Sequence, residues 1–322
     1  MSSSFDKIDY SLRPAKHAER RMLAEVFSRL RPFEPVEDYH YVGLGSVWFS
    51  DFIVFHRSLG IRKMLSIERE AQSQKRIEAN KPFRSIEMRY KPSSQVLPTL
   101  NWADRHFIWL DYDDPLTTDM LRDARIVAAN GRSGTVLAVS MQCQRAPEDI
   151  DAERENNGQT GLQRFTNTFG RERVSDETMA DDLSGWRFGQ LSRNLVYGEI
   201  EDALAKRNAA LPAQEQLRFR KICEFEYADG AKMTTLVGIL VSAAEMNAFT
   251  ECRFSTLDFL PSQGRLVKIK VPILTLRELR HIERQLPKKL DEDWDLGSIP
   301  LAQANKYAAF YRYFPNFVHA EP

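Results

Sequence analysis

Apolar positions along this chain follow two rhythms. Met22, Leu23, Val26, Phe27 and Leu30 recur at helical spacing with Lys16, Arg20, Arg21 and Arg29 among the remaining positions, which predicts an amphipathic helix over Ala15–Leu30. Strand-like and helix-like segments then alternate: a strand over Tyr39–Val42, a helix over Trp48–Leu59, a strand over Lys63–Ile67, a helix over Ala71–Asn80 and a strand over Ser85–Tyr90. The alternation continues through a short helix at Gln95–Leu100, a strand at His106–Leu110, a helix at Leu116–Ala129 and a strand at Thr135–Ser140. Pro115 suits the first turn of the Leu116–Ala129 helix and Gly131 its end. Such a βαβ rhythm belongs to a parallel sheet. Right-handed crossovers leave the carboxyl ends of its strands along one edge, where ligands of open α/β folds collect.

From Gln144 to Ser184 the sequence turns polar, with Asn156-Asn157-Gly158-Gln159 and Asp181-Asp182, and reads as a long, partly helical excursion near that edge. A helix over Trp186–Leu211 follows. Two strand-like runs, Lys221–Tyr227 and Lys232–Val241, flank Ala228-Asp229-Gly230, and Asp-Gly in that position is a hairpin signal. The remainder holds a strand at Leu266–Val271, a helix at Leu276–Gln285, the acidic stretch Asp291–Asp295 and an aromatic tail over Tyr307–Phe317. The expected organisation is one unit over 1–244, with a helix at 15–30, a nucleotide-binding half at 39–142 and an insertion at 144–184, and then a C-terminal extension over 245–322.

Composition narrows the picture. A chain of 322 residues with 43% hydrophobic content builds a core without staples. Its 45 Lys plus Arg balance 45 Asp plus Glu, so no whole-protein field attracts a polyanion, although a local basic face remains open. Cys143, Cys223 and Cys252 lie too far apart for a disulfide framework or a paired zinc site, and the expected compartment is a reducing cytoplasm. The polar Met1–Lys16 stretch lacks the apolar core of a signal peptide, and no run of about 18 apolar residues occurs, so neither export by that route nor a membrane span is expected.

The candidate chemistry sits just after the strands. Gly43 and Gly45 permit positive φ and close backbone approach, and Ser46 can cap the next helix, whose N-terminal amides favour negative groups. Glu68 closes the second strand 25 residues beyond Gly43, where an acid accepts both hydroxyls of a ribose; the alternative is a solvated surface Glu. Together these features point to an adenosine-containing cofactor. Trp48 stands where a dinucleotide fold wants its third glycine, which argues against NAD or FAD.

Asp111, Asp113 and Asp114 surround Tyr112 and precede Pro115, and like charges so close raise one another's pKa unless paired. Either this loop is functional or Asp113 and Asp114 cap the next helix. Arg13, Lys16, His17, Arg20 and Arg21 either cover a ligand or form an ordinary solvated helix face. The tail Tyr307–Pro315, with Lys306 and Arg312, either stacks nucleic-acid bases or packs against the domain or another subunit. His56 reads as a satisfied core residue.

In the order Tyr41-Val42-Gly43-Leu44-Gly45-Ser46, Leu65-Ser66-Ile67-Glu68, Trp109-Leu110-Asp111-Tyr112-Asp113-Asp114-Pro115-Leu116, the chain resembles the class I S-adenosylmethionine-dependent methyltransferases over Tyr39–Val241. The resemblance implies a Rossmann-like α/β fold whose seven-stranded, mostly parallel sheet has the order 3-2-1-4-5-7-6, with an N-terminal helix and a C-terminal α+β extension. It implies S-adenosylmethionine as cofactor, with Gly43, Gly45 and Ser46 at the methionyl part, Glu68 at the ribose, and Ser93 and Ser94, after Pro92, at the adenine. Ser93 or Ser94 can equally be the N-cap of the next helix. Asp111 also belongs to the cofactor side, and Asp111, Tyr112 and Asp113 are the catalytic candidates facing the acceptor, with no residue assigned to a metal.

The acceptor implied is an oxygen or an amine of a small molecule or protein. Asp114-Pro115-Leu116 has no aromatic after the proline to stack a flipped base, as base-modifying amino methyltransferases do. Two alternatives stay open: a nucleic-acid methyltransferase, and a non-catalytic nucleotide-binding module within a bacterial defence or modification assembly. The aromatic tail is the expected contact for a homo-oligomer or a partner protein.

Overall fold

A computed structural model of the chain describes residues 13–69, 71–145, 159–288 and 293–315. Asn156-Asn157-Gly158 of the polar excursion, Asp291 and Glu292 of the acidic stretch, and the end of the tail from residue 316 lie outside the described residues. The strands are β1 His40–Leu44, β2 Lys63–Ile67, β3 Ile86–Arg89, β4 His106–Pro115, β5 Val136–Gln142, β6 Leu217–Asp229, β7 Ala231–Ser242 and β8 Leu266–Ile269. The helices are α1 Pro14–Ser28, α2 Ser50–Leu59, α3 Gln74–Asn80, α4 Ser93–Val96, α5 Thr118–Asn130, α6 Gly161–Phe169, α7 Gly185–Asn208, α8 Met246–Glu251, α9 Leu276–Glu283 and α10 Leu301–Phe310.

One sheet runs β3-β2-β1-β4-β5-β7-β6-β8. β1 to β5 are parallel, β7 is antiparallel to both β5 and β6, and β8 lies parallel to β6. The order anticipated from sequence is present, extended by an eighth strand. Leu266–Ile269 docks on the edge of β6 with Glu224 opposite Leu266 and Tyr227 opposite Ile269, so the far edge is covered by a segment from the C-terminal part. The hairpin closes at Gly230, whose φ of +94° is open to glycine at little cost, with Asp229 paired to Ala231.

Period-2 alternation divides the sheet between two cores. From β4, Phe107 and Trp109 enter the core beneath α1 and α2, whereas Ile108 and Leu110 face α5 and α7. α1 is fastened by stacked rings, Phe27 on Phe107 and Phe107 on Tyr39, each pair with centroids 4.3 Å apart. At the opposite edge of the sheet from the carboxyl ends, the buried Arg105 guanidinium donates to the carbonyls of Phe33 (2.6 Å) and Ser133 (2.9 Å) and pairs with Glu34 and Glu245.

Several local expectations give way to packing. α2 opens at Ser50 after Phe49, a residue at φ +47°, and Ser46 accepts from the Trp48 amide rather than capping the helix. β4 continues past Leu110 to Pro115, which pairs with Gln142, so Pro115 ends a strand and does not open a helix. Thr117 caps α5, accepting from the Met120 amide, which releases Asp113 and Asp114 from that duty. The tail aromatics Tyr307, Tyr313 and Phe314 are buried in the α1-side core, with Tyr307 donating to Glu283 at 2.6 Å and Tyr313 to Glu25.

Candidate active site

The carboxyl ends of β1, β2, β3 and β4 border a cleft of about 780 Å³. Its walls include Leu44 and Gly45 after β1, Glu68 after β2, Pro92, Ser93 and Ser94 after β3, and Asp111 to Asp114 on β4. Seven of the residues singled out from sequence, Gly45, Glu68, Ser93, Ser94, Asp111, Tyr112 and Asp113, therefore share one cavity. Gly43 and Ser46 are not among its lining residues.

Neither glycine of the turn uses a positive φ. Both are required by close approach instead. A Cβ on Gly45 would stand 3.1 Å from the Ile67 carbonyl oxygen and 3.0 Å from Ser66 Oγ, because the Gly45 amide bonds to that same carbonyl as β1 and β2 diverge. A Cβ on Gly43 would stand 2.6 Å from the Tyr41 hydroxyl, which donates to Asp51 beneath the turn. Burial raises the Asp51 carboxyl above the usual carboxylate range, against that hydroxyl and the nearby Arg20.

A bulge creates the β4 wall. Asp111 opposes Ser140 and Pro115 opposes Gln142, so four steps on β4 match two on β5. The Gln142 side chain donates to the Asp113 carbonyl and secures the extra loop. Tyr112 consequently turns toward α5, where its hydroxyl donates 2.7 Å to Asp123 Oδ2, the oxygen that also accepts from Ser93 Oγ. Burial and the adjoining Asp123 push the Tyr112 phenol well above its ordinary value, so this group keeps its proton and serves as a strut.

Asp111 has an unexpected partner. Lys16 of α1, 2% exposed, places its ammonium on Asp111 Oδ1, 2.9 Å from Glu19 Oε2 and 3.0 Å from the Tyr227 hydroxyl, over the face of Trp109. The network continues inward: Thr235 donates to Glu19, Thr235 and Ser140 share a hydrogen bond of 2.8 Å, and the Trp109 indole donates to Ser140 at 2.9 Å. Asp229 accepts from the Lys16 amide at 2.9 Å and closes the N-terminal end of α1. Arg13 lies 3.9 Å from Asp113.

The reading of α1 as an ordinary solvated basic face is thus corrected: Lys16, Glu19 and Arg20 are buried, and Arg21 is exposed. The signal was present in the sequence. Lys16, Glu19, Arg20, Leu23, Phe27 and Leu30 form the inward stripe, and two cations with an acid at apolar positions mark a buried network. Asp123 was missed for the same reason, sitting with Met120, Ala124 and Val127 on the buried side of α5. Among the described residues no group of three or more His, Cys, Asp or Glu is arranged to hold a metal ion. No helix among them is long and apolar enough to cross a membrane.

Comparison with known proteins supplies one whole-chain match: a family model described as "Putative O-methyltransferase" fits residues 8–322. No curated protein matches the sequence. Among solved structures, Trm1 from Pyrococcus horikoshii in complex with S-adenosyl-L-methionine is similar at 11% identity and a TM-score of 0.45, over 77% of this chain and 60% of that one. The chain thus spans less than two thirds of that protein. An O-methyltransferase from Bacillus cereus, in complex with SAH, is similar at 13% identity and a TM-score of 0.38, over 73% of this chain and 86% of that one. A structure titled as a putative O-methyltransferase from Klebsiella pneumoniae is similar at 14% identity and a TM-score of 0.38, over 72% and 81%.

Proposed function

The chain belongs to the methyltransferase family described as "Putative O-methyltransferase", and from that premise we propose that it transfers a methyl group from S-adenosylmethionine, held in the cleft at the carboxyl ends of β1 to β4, to an oxygen or amine acceptor. The observation that carries this reading is the convergence of Gly45, Glu68, Ser93, Ser94 and Asp111 on one cavity whose volume suits a ligand of nucleoside size. The residues present fit the cofactor. Gly45 keeps the turn free of a Cβ, Glu68 stands at the end of β2 with carboxylate oxygens for two ribose hydroxyls, and a buried oxygen of Asp123 has no hydrogen-bond partner.

When bound, S-adenosylmethionine supplies an electrophilic methyl on a sulfonium. The protein's own contribution is alignment, exclusion of water and a place for the acceptor's proton. Lys16 holds Asp111 Oδ1, so the Asp111 carboxylate is fixed in one orientation at the cleft wall. In this reading Asp111 and Asp113 border the acceptor and one of the two carboxylates receives its single proton, while Tyr112 shapes the wall without exchanging its own.

The test is calorimetric titration of S-adenosylmethionine into the wild type and Glu68→Ala. Loss of charged hydrogen bonds to the ribose is expected to weaken binding by about 1 to 3 kcal/mol. Equal affinity in the two proteins contradicts the ribose placement, and the absence of binding to the wild type contradicts the cofactor.

A further inference from the structure

The apolar face that β6 and β7 turn toward α7 gives way to charge at its outer end. Leu217 and Phe219 of β6 and Leu236 and Leu240 of β7 belong to the core beneath α7. Past the irregularity between Lys221 and Cys223, β6 instead brings Glu224 and Glu226 to a cavity of about 410 Å³, to which β8 adds Leu266 and Lys268. The facing wall is one stripe of α7, with Trp186, Arg187, Gln190, Arg193 and Asn194 at helical spacing. β5 and β7 separate this cavity from the cleft at β1 to β4.

The floor of the cavity is electrically closed. Arg193, 3% exposed, donates to Glu226 at 3.0 Å and lies 3.4 Å from Glu224, and Lys221 lies 3.6 Å from Glu224. Buried pairs of this kind gain little stability over apolar packing, so the change from apolar to ionic residues is not accounted for by the fold's need for a core. The rims carry charge to spare. Lys268 stands opposite Glu226 in register, but Glu226 is engaged by Arg193, and Lys268 makes no ion pair among the described residues. Arg187 pairs there with Asp181 alone, at 3.7 Å and with both side chains largely exposed, a contact that contributes little. Beside these cations Trp186 is 36% exposed, and the Lys232 ammonium lies 5.4 Å from its ring centroid.

We propose that this cavity is a second ligand site, for a free aromatic monophosphate of mononucleotide size, with its ring against Trp186 and its phosphate between Arg187 and Lys268. The exposed indole supplies a stacking surface for a planar ring, and two uncompensated cations from different elements match one dianion. The amides of Gln190 and Asn194 both donate and accept, which suits the polar edge of a heterocycle. The two glutamates of the floor tell against a polyanionic strand, whose binding comes from neutralising many phosphates. The inference is independent of what the β1 to β4 cleft holds.

The experiment is calorimetric titration of adenosine 5′-monophosphate, adenosine and inorganic phosphate into the wild type, Trp186→Ala, the double variant Arg187→Ala with Lys268→Ala, and Glu68→Ala. The three substituted side chains at this cavity reach the surface, so these variants are expected to keep the fold, which circular dichroism checks. The wild type is expected to bind the monophosphate about tenfold or more tightly than either fragment. Trp186→Ala is expected to weaken the monophosphate by about fivefold or more, the worth of one stacked ring, and the double variant by about tenfold or more. Glu68→Ala, in the other cleft, is expected to leave it unchanged. Failure of the wild type to bind the monophosphate, equal binding of inorganic phosphate, or affinity that Glu68→Ala weakens and Trp186→Ala leaves intact overturns the inference. So does binding of a six-residue oligoadenylate about tenfold more tightly than the monophosphate, which marks a strand-binding surface.

Discussion

Lys16 shows how much one side chain carries. Its ammonium is buried against Asp111 and Glu19, with Tyr227 and Trp109 completing the shell, so all three charged groups depend on one another. Removing one member of such a set leaves uncompensated buried charge. Lys16→Met is expected to lower stability by about 3–5 kcal/mol in urea denaturation. The double variant Lys16→Met with Glu19→Gln is expected to recover part of that loss, because fewer charges are left stranded. Additive losses in the double variant contradict the shared network. At this scale the sequence was legible where chemistry follows chain order and opaque where it follows the fold. Glu68 directly follows β2 and Ser93 opens α4 shortly after β3, so counting along the chain brings both to the cleft; Asp123 reaches Ser93 across 30 residues and Lys16 reaches Asp111 across 95.

Elements were set by period and adjusted by packing. The alternation in His106-Phe107-Ile108-Trp109-Leu110 defines β4, but its continuation to Pro115 depends on β5 and the Gln142 side chain, which no local pattern contains. α5 starts two residues later than the apolar pattern alone suggests because Thr117 provides the cap. Two glycines within elements test the role of context. In β7, Gly238 lies beneath the Phe219 ring, which an added Cβ would strike. In α7, Gly198 is exposed and has no neighbouring atom within 4 Å of where a Cβ would go. Gly198→Ala is expected to stabilise the fold by about 0.5–1 kcal/mol through helix propensity. Gly238→Ala is expected to destabilise it by about 1–3 kcal/mol through overpacking. Thermal melts of the two variants, shifting in opposite directions, check both; shifts of the same sign contradict the assigned environments.

Across the whole molecule, the sheet organises two cores and one edge that carries the cleft. α1 and the segments after residue 245 share the core beneath β1 and β4, while α5, α6 and α7 cover the opposite face. The parallel half and its edge were readable because βαβ rhythm constrains topology strongly. The strand at Leu266–Ile269 was also anticipated, within Leu266–Val271, but its place as the eighth strand was not, because its parallel pairing with β6 is set by docking rather than by local pattern. The same holds for the tail, where Tyr307, Tyr313 and Phe314 are buried, leaving them unable to act as a stacking surface for bases in this arrangement. The central claim is that the cleft bounded by Gly45, Glu68, Ser93, Asp111 and Asp123 holds S-adenosylmethionine. The most direct measurement is ultraviolet cross-linking of methyl-labelled S-adenosylmethionine followed by peptide mapping, with excess S-adenosylhomocysteine as competitor. The account predicts competitor-sensitive label in the peptides that carry Gly45, Ser93 and Tyr112. Label confined to the segment around Tyr307–Phe314, or to the separate cavity lined by Gln163, Thr166 and Asn167, would contradict it.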